Sequence, residues 1–172
     1  RPVSEFIPID QFYVSYYASN LSKADRYTHV IYRSPVDLAK DMRTGIYDEI
    51  DLPDATYPSP TSLSEKMDTI LGLSPTDNSD PQYTLLEQHC YLEIDEEYAL
   101  PYIVTVEEQS RTVLSIRRNY KKEDKQQQKI SHFVHYRFVP GFGFYGFGLM
   151  HFLGNLTMTA TAAMRSLVDA GQ

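Results

Sequence analysis

The spacing of strand-like runs in the second half of the chain constrains the fold more than any other feature of the sequence. Tyr83–Ile94, Tyr102–Glu107, Thr112–Tyr120 and Ile130–Val139 are rich in β-branched and aromatic residues and follow one another at short intervals. Parallel neighbours need crossovers of about a dozen or more residues, which these intervals do not hold, so an antiparallel meander of three or four strands is expected. Glu108-Gln109-Ser110-Arg111 is short enough for a hairpin connection. Lys121–Lys129 (KKEDKQQQK) is charged and poor in apolar residues, and reads as an exposed hairpin tip.

Beyond Pro140 the period changes. Gly141, Gly143, Gly146 and Gly148 alternate with Phe142, Phe144, Tyr145 and Phe147. Leu149, Phe152, Leu153, Leu156, Ala160, Ala163, Met164, Leu167 and Val168 then recur at helical spacing, which predicts a long C-terminal helix over 149–170 stopped by Gly171. Upstream, 5–17 reads as two short extended segments interrupted by Pro8 and Asp10, and Tyr27–Arg33 alternates like a strand. Ser34 before Pro35 is an N-cap followed by a proline at the first helical position, and predicts a short helix over 35–44 with Val36, Ala39 and Met42 on one face and Gly45 past its end. Five of the ten prolines fall within 51–81, which marks a long surface loop or linker, with 61–72 as one amphipathic helix inside it. The expected class is α+β. A strand-and-helix unit occupies 1–50, a proline-rich linker 51–81, and an antiparallel sheet with a long C-terminal helix 82–172; the two outer parts can share one core.

Charge and composition narrow the function. The net charge is −7, with 7 basic and 13 acidic side chains in 1–81 and 9 and 10 in 82–172. A protein that grips nucleic acid through its phosphates needs a basic face, so a general grip on DNA is disfavoured. The place for a local, weak contact with DNA or an acidic partner is Arg117, Arg118, Lys121, Lys122, Lys125 and Lys129, diluted by Glu123 and Asp124. Fourteen Tyr and eight Phe without a Trp fit sheet surfaces and contact faces, because a tyrosine ring packs while its hydroxyl stays wet. Cys90 is the single cysteine, which leaves no internal disulfide and fits a reducing compartment. No apolar run reaches the length of a membrane span, so a protein made in soluble form inside a cell, without a membrane partner, is expected.

Residues with chemical potential do not assemble into a recognisable catalytic or metal motif. The glycine-aromatic run lacks the Gly-Lys-Ser/Thr ending of a phosphate loop, and its bulky rings obstruct the approach of a pyrophosphate. A connector whose rings Phe142, Phe144, Tyr145 and Phe147 dock on the helix or on a neighbouring subunit is the better reading. His89, Cys90, His132 and His135 are metal-ligand types at a spacing poor for zinc, since His132 and His135 would point to opposite faces of a strand. Asp48-Glu49-Asp51 and Asp95-Glu96-Glu97 lack calcium-loop spacing and read as solvated turns. No Gly-x-Ser-x-Gly elbow is present. The expectation is a non-enzymatic protein without catalytic residues, metal or cofactor.

PYIVTVEEQSRTVLSIRRNY from Pro101 and HFVHYRFVPGFGFYGFGLMHFLGNLTMTATAAMRSLVDAG from His132 together resemble the portal proteins of short-tailed bacteriophages and related prophages. A weaker similarity covers Glu5–Asp51, while 52–81 adds nothing to it. The resemblance implies a structural segment of a ring-forming subunit, usually twelve-fold, at a capsid vertex. Double-stranded DNA passes through such a ring during packaging and ejection. It also implies as partners other portal subunits, capsid, scaffold, terminase and tail proteins, no catalytic residues, and a virion location reached from the host cytoplasm. Both chain ends are read as cuts from a longer protein, with this piece in the outer, wing-like region. The alternative is another phage or cellular interaction module, such as an adaptor or tail component that does not enclose DNA.

Overall fold

The computed structural model describes residues 4–57, 62–72, 80–94, 98–141 and 143–171. Among the described residues five strands form one antiparallel sheet in chain order: β1 (Phe12–Val14), β2 (Tyr27–Arg33), β3 (Tyr83–Leu92), β4 (Leu100–Glu107) and β5 (Val113–Arg118). Among the described residues three α-helices accompany them: α1 (Pro35–Arg43), α2 (Ser62–Leu71) and α3 (Leu149–Ala170). The class is α+β, as the sequence predicts.

The registers explain which side chains share a face. Tyr27 lies opposite His89, His89 opposite Ile103 and Ile103 opposite Arg117. The next row on the same face is His29, Glu87, Thr105 and Ser115. Two residues further along, Ile31 faces Leu85. An irregularity between Thr105 and Val106 shifts the β4–β5 pairing and leaves Leu114 buried beside them. Leu85 and Leu114 join Leu38 and Tyr47 in the apolar core, with Ile31, Met42, Ile50, Leu52 and Tyr83 packed against it.

Helix α1 starts where the sequence signals it. The Ser34 side chain accepts from the Asp37 N–H at 3.2 Å, Pro35 takes the first helical position, and Gly45 follows the helix in the left-handed region at φ 75°. The buried face differs from the one expected. Val36 is 75% exposed, whereas Leu38 is 2% exposed and Met42, one turn on, packs beside it. Leu38 and Met42 are four apart and so lie above one another. The way the helix returns over the sheet points that pair at Leu85 and Leu114 and leaves Val36 and Ala39 to solvent.

Two compact units partition the chain. One holds the residues up to Ser15 together with Asp25–Ile130, and so contains the whole sheet; the other holds Tyr16–Ala24 and the chain from Ser131 onward. The expected fourth meander strand, Ile130–Val139, does not form. Ile130 donates to the Asn119 carbonyl at 3.0 Å, and Val139 makes an isolated bridge with Phe147 through reciprocal bonds of 3.2 and 2.8 Å. The reason lies in the preceding segment. Asp124 accepts from the Gln126 and Gln128 N–H groups, winding 121–128 into a turn that leads Lys129 back toward Tyr27 and Tyr91 instead of along β5. The 121–129 segment is therefore a capped turn and not the tip of a hairpin.

Candidate functional site

Further along the sheet face that α1 covers at Leu85 lies a polar and aromatic cluster. His89, on β3, is 1% exposed. Its Nε2 lies 3.1 Å from Glu87 Oε1, and its Nδ1 is 3.5 Å from the Asn119 side-chain nitrogen. The second Glu87 oxygen accepts from the Arg117 guanidinium at 3.1 Å. The His89 ring stacks on Tyr27 with centroids 4.6 Å apart, and Tyr27 stacks in turn on Phe12 at 5.6 Å. Lys129 closes the cluster, its ammonium 5.2 Å from the Tyr27 ring centroid and 5.8 Å from that of Tyr91.

The protonation states follow from this packing. Burial pushes the Tyr27 phenol up to about 12, helped by the negative charge of Glu87 and by Tyr91, so it stays neutral. Burial also raises Glu87, but the His89 hydrogen bond and the charges of His89, Arg117 and His29 outweigh it and leave the carboxyl below its ordinary value. Burial lowers His29, opposed by Glu87 and Glu5 and aided by His89. Burial likewise lowers Lys129, against the pull of Asp25. Both Glu87 oxygens are engaged by neighbours and the phenol is held neutral. The arrangement thus clamps β2, β3 and β5 to the returning 119–130 segment, rather than presenting a poised base or nucleophile.

This cluster was missed by sequence reasoning, which set His89 beside Cys90. The two point to opposite faces of β3, and burial raises the Cys90 thiol. The available signal was the alternation Leu85, Glu87, His89, Tyr91, which places a carboxylate and an imidazole on one face of a strand. Among the described residues, no three His, Cys, Asp or Glu side chains are grouped to hold a metal ion. His132 and His135 belong to the second unit. Asp48, Glu49 and Asp51 are exposed, and Asp95, Glu96 and Glu97 lie outside the described residues.

The six basic residues do not form one face. Arg117 is 49% exposed and paired with Glu87, while Arg118 projects from the other side of β5 in register with Tyr102. Lys129 sits on two aromatic rings. Lys121, Lys122 and Lys125 are exposed on the capped turn, with the carboxylate of Glu123 among them.

In the second unit the connector rings largely contact one another and the helix start. Phe144 stacks on His135 with centroids 4.0 Å apart and meets the edge of Tyr145 at 5.3 Å. Phe147 lies edge-on to His151 at 5.5 Å and to Phe152 at 6.3 Å. Phe142 lies outside the described residues. Gly146 is required where 137–139 and 145–147 cross, since a Cβ there would fall 2.5 Å from the Val139 carbonyl oxygen. The Gly148 N–H donates to His151 Nδ1 at 3.0 Å and closes the first turn of α3. No residue of α3 is buried, and its leucines, methionines, Phe152 and Val168 are all exposed. Among the described residues no helix is long and apolar enough to cross a membrane.

Compared with known proteins, the sequence matches no family model and no curated protein.

Proposed function

We propose that this chain is a structural, non-enzymatic segment of a phage portal protein, whose parent forms the ring at a capsid vertex through which DNA is packaged and ejected. The reading rests on the resemblance of Pro101–Gln172 to that family. The observation that supports it best is α3, a helix of 22 residues with no buried side chain and apolar groups along its length. Apolar side chains exposed in this number along one helix fit a subunit that completes its core with neighbours, because single domains seldom leave large apolar patches uncovered. The scattered and partly neutralised basic residues agree with a wall that DNA passes without being held. Partners on this reading are other portal subunits, capsid, scaffold, terminase and tail proteins, within the virion.

Electron microscopy of the full-length parent tests the proposal. Rings with a central opening wide enough for duplex DNA are expected. Monomers under varied conditions would overturn the portal reading in favour of an adaptor or tail component that encloses no DNA.

A further inference from the structure

The two compact units differ in how much apolar surface each covers by itself. The first contains the core of Leu38, Tyr47, Leu85 and Leu114 and buries Tyr27 and Ile103 as well. In the second, the buried apolar side chains among the described residues are Ala18 and Ala24. Two alanines do not make a core.

The second unit does hold large apolar groups, but they face outward. Burial alternates along 133–139: Phe133, His135, Arg137 and Val139 are partly buried, while Val134, Tyr136 and Phe138 are 95%, 85% and 60% exposed. A period of two is that of extended chain with one side packed and the other bare. The packed side meets the connector, where His135 stacks on Phe144, Arg137 donates to the Gly143 carbonyl and Val139 bridges to Phe147. Tyr16 and Tyr17, in the same unit, are exposed too.

Helix α3 has little to hold it by local means. Its first turn carries no acidic side chain and its last no basic one, so no charge complements the helix dipole. Gly154 and Asn155 are poor helix formers in its middle. The hydroxyls of Thr157, Thr159, Thr161 and Ser166 donate back to carbonyls four residues earlier, which weakens a helix slightly. Helices draw most of their stability from a packed face, and α3 buries none.

We infer that the second unit folds on assembly. In the free chain the sheet unit alone is stably folded; 133–139 and α3 take up the described arrangement when a neighbouring subunit covers Val134, Tyr136, Phe138 and the helix. An apolar unit without a core of its own is what one side of an obligate interface looks like, a domain core cut in half. The ordering entropy is then met at the moment of contact. That the neighbour supplies the cover rests on the ring reading above; that the unit does not fold by itself stands without it.

Amide hydrogen exchange separates the two statements. In the isolated 172-residue chain, amides of β3 and β4 should exchange slowly and those of α3 at close to the unfolded rate. Protection of α3 equal to that of β3 in this chain would overturn the inference. In rings of the full-length parent, α3 amides should slow by roughly a hundredfold or more relative to unassembled parent subunits. Equal exchange in rings and unassembled subunits, whether fast or slow, would overturn the neighbour as the covering partner. A parent that forms no rings would remove the ring reading and the neighbour with it, while exchange in the isolated chain still decides whether the unit folds alone.

Discussion

Glu87 and Glu107 show how single carboxylates tie this sheet together. Glu107, 2% exposed, ends β4 by accepting from the Gln109 N–H at 3.0 Å and from both the Ser110 N–H and hydroxyl at 2.6 Å. Burial raises it, yet these bonds prevail and its carboxyl titrates below its ordinary value, as does that of Glu87. Below the unfolded carboxyl value of 4.5, the unfolded chain therefore binds more protons than the folded one. The stability these carboxylates contribute is present above that value and is lost as pH falls through their folded values. His29 acts in the same direction. Its folded value lies below 6.5, so acidification through that value favours the unfolded chain, which takes up the proton more readily. Urea midpoints measured between about pH 7 and pH 3 should fall monotonically, and Glu107→Gln should flatten the acid limb. A midpoint that is constant or rises on acidification would contradict this assignment. Thr105 and Ser115 make the opposite case, burying hydroxyls that find no partner among the described residues. Thr105→Val keeps the shape and removes one such group, so the urea midpoint should rise, by about 1 kcal/mol in stability.

At the scale of elements, α1 separates what a local signal specifies from what packing specifies. Ser34 and Pro35 start the helix as their chemistry demands. The face it buries depends on the path back over β3 and β5. Leu38→Ala should therefore cost about 2–5 kcal/mol by leaving a cavity against Leu85 and Leu114. Val36→Ala should change stability by no more than about 0.5 kcal/mol. Denaturant curves on the two variants give the comparison, and a Val36 effect equal to that of Leu38 would contradict the observed orientation. The strands Tyr83–Leu92, Leu100–Glu107 and Val113–Arg118 were legible because β-branched and aromatic residues recur between short turns. Ile130–Val139 has the same composition and joins no strand of the sheet, its Val139 bridging only to Phe147. Its fate was decided by Asp124, which winds the preceding turn, and by the docking of Lys129 on aromatic rings, neither of which a strand pattern registers.

For the whole molecule, the question is whether the chain meets DNA. The structure divides the basic residues among an ion pair, the far side of β5, an aromatic seat and an exposed turn, leaving Lys121, Lys122 and Lys125 as a small cationic group. With three phosphate contacts at most from this group, log K against log salt should be no steeper than about −3 on duplex DNA. Replacing the three lysines with alanine should abolish what binding there is. Salt-insensitive binding, or none at low salt, would remove the electrostatic contact. The candidate site was less legible than the fold. Composition located the positive charge along the chain but could not show that Glu87, 30 residues upstream of Arg117, takes up that arginine.

The sequence by itself determined where strands and helices start and stop in most of this chain, because caps, turns and hydrophobic periods act over a few neighbouring residues. It also determined that α3 is apolar along its length. Only the tertiary structure decided which face of α1 is buried, that Glu87, His89, Asn119 and Arg117 meet, and that 130–139 leaves the sheet. Each of those depends on strand register and on contacts between residues far apart in the chain, where a shift of one position would turn every side chain to the other face.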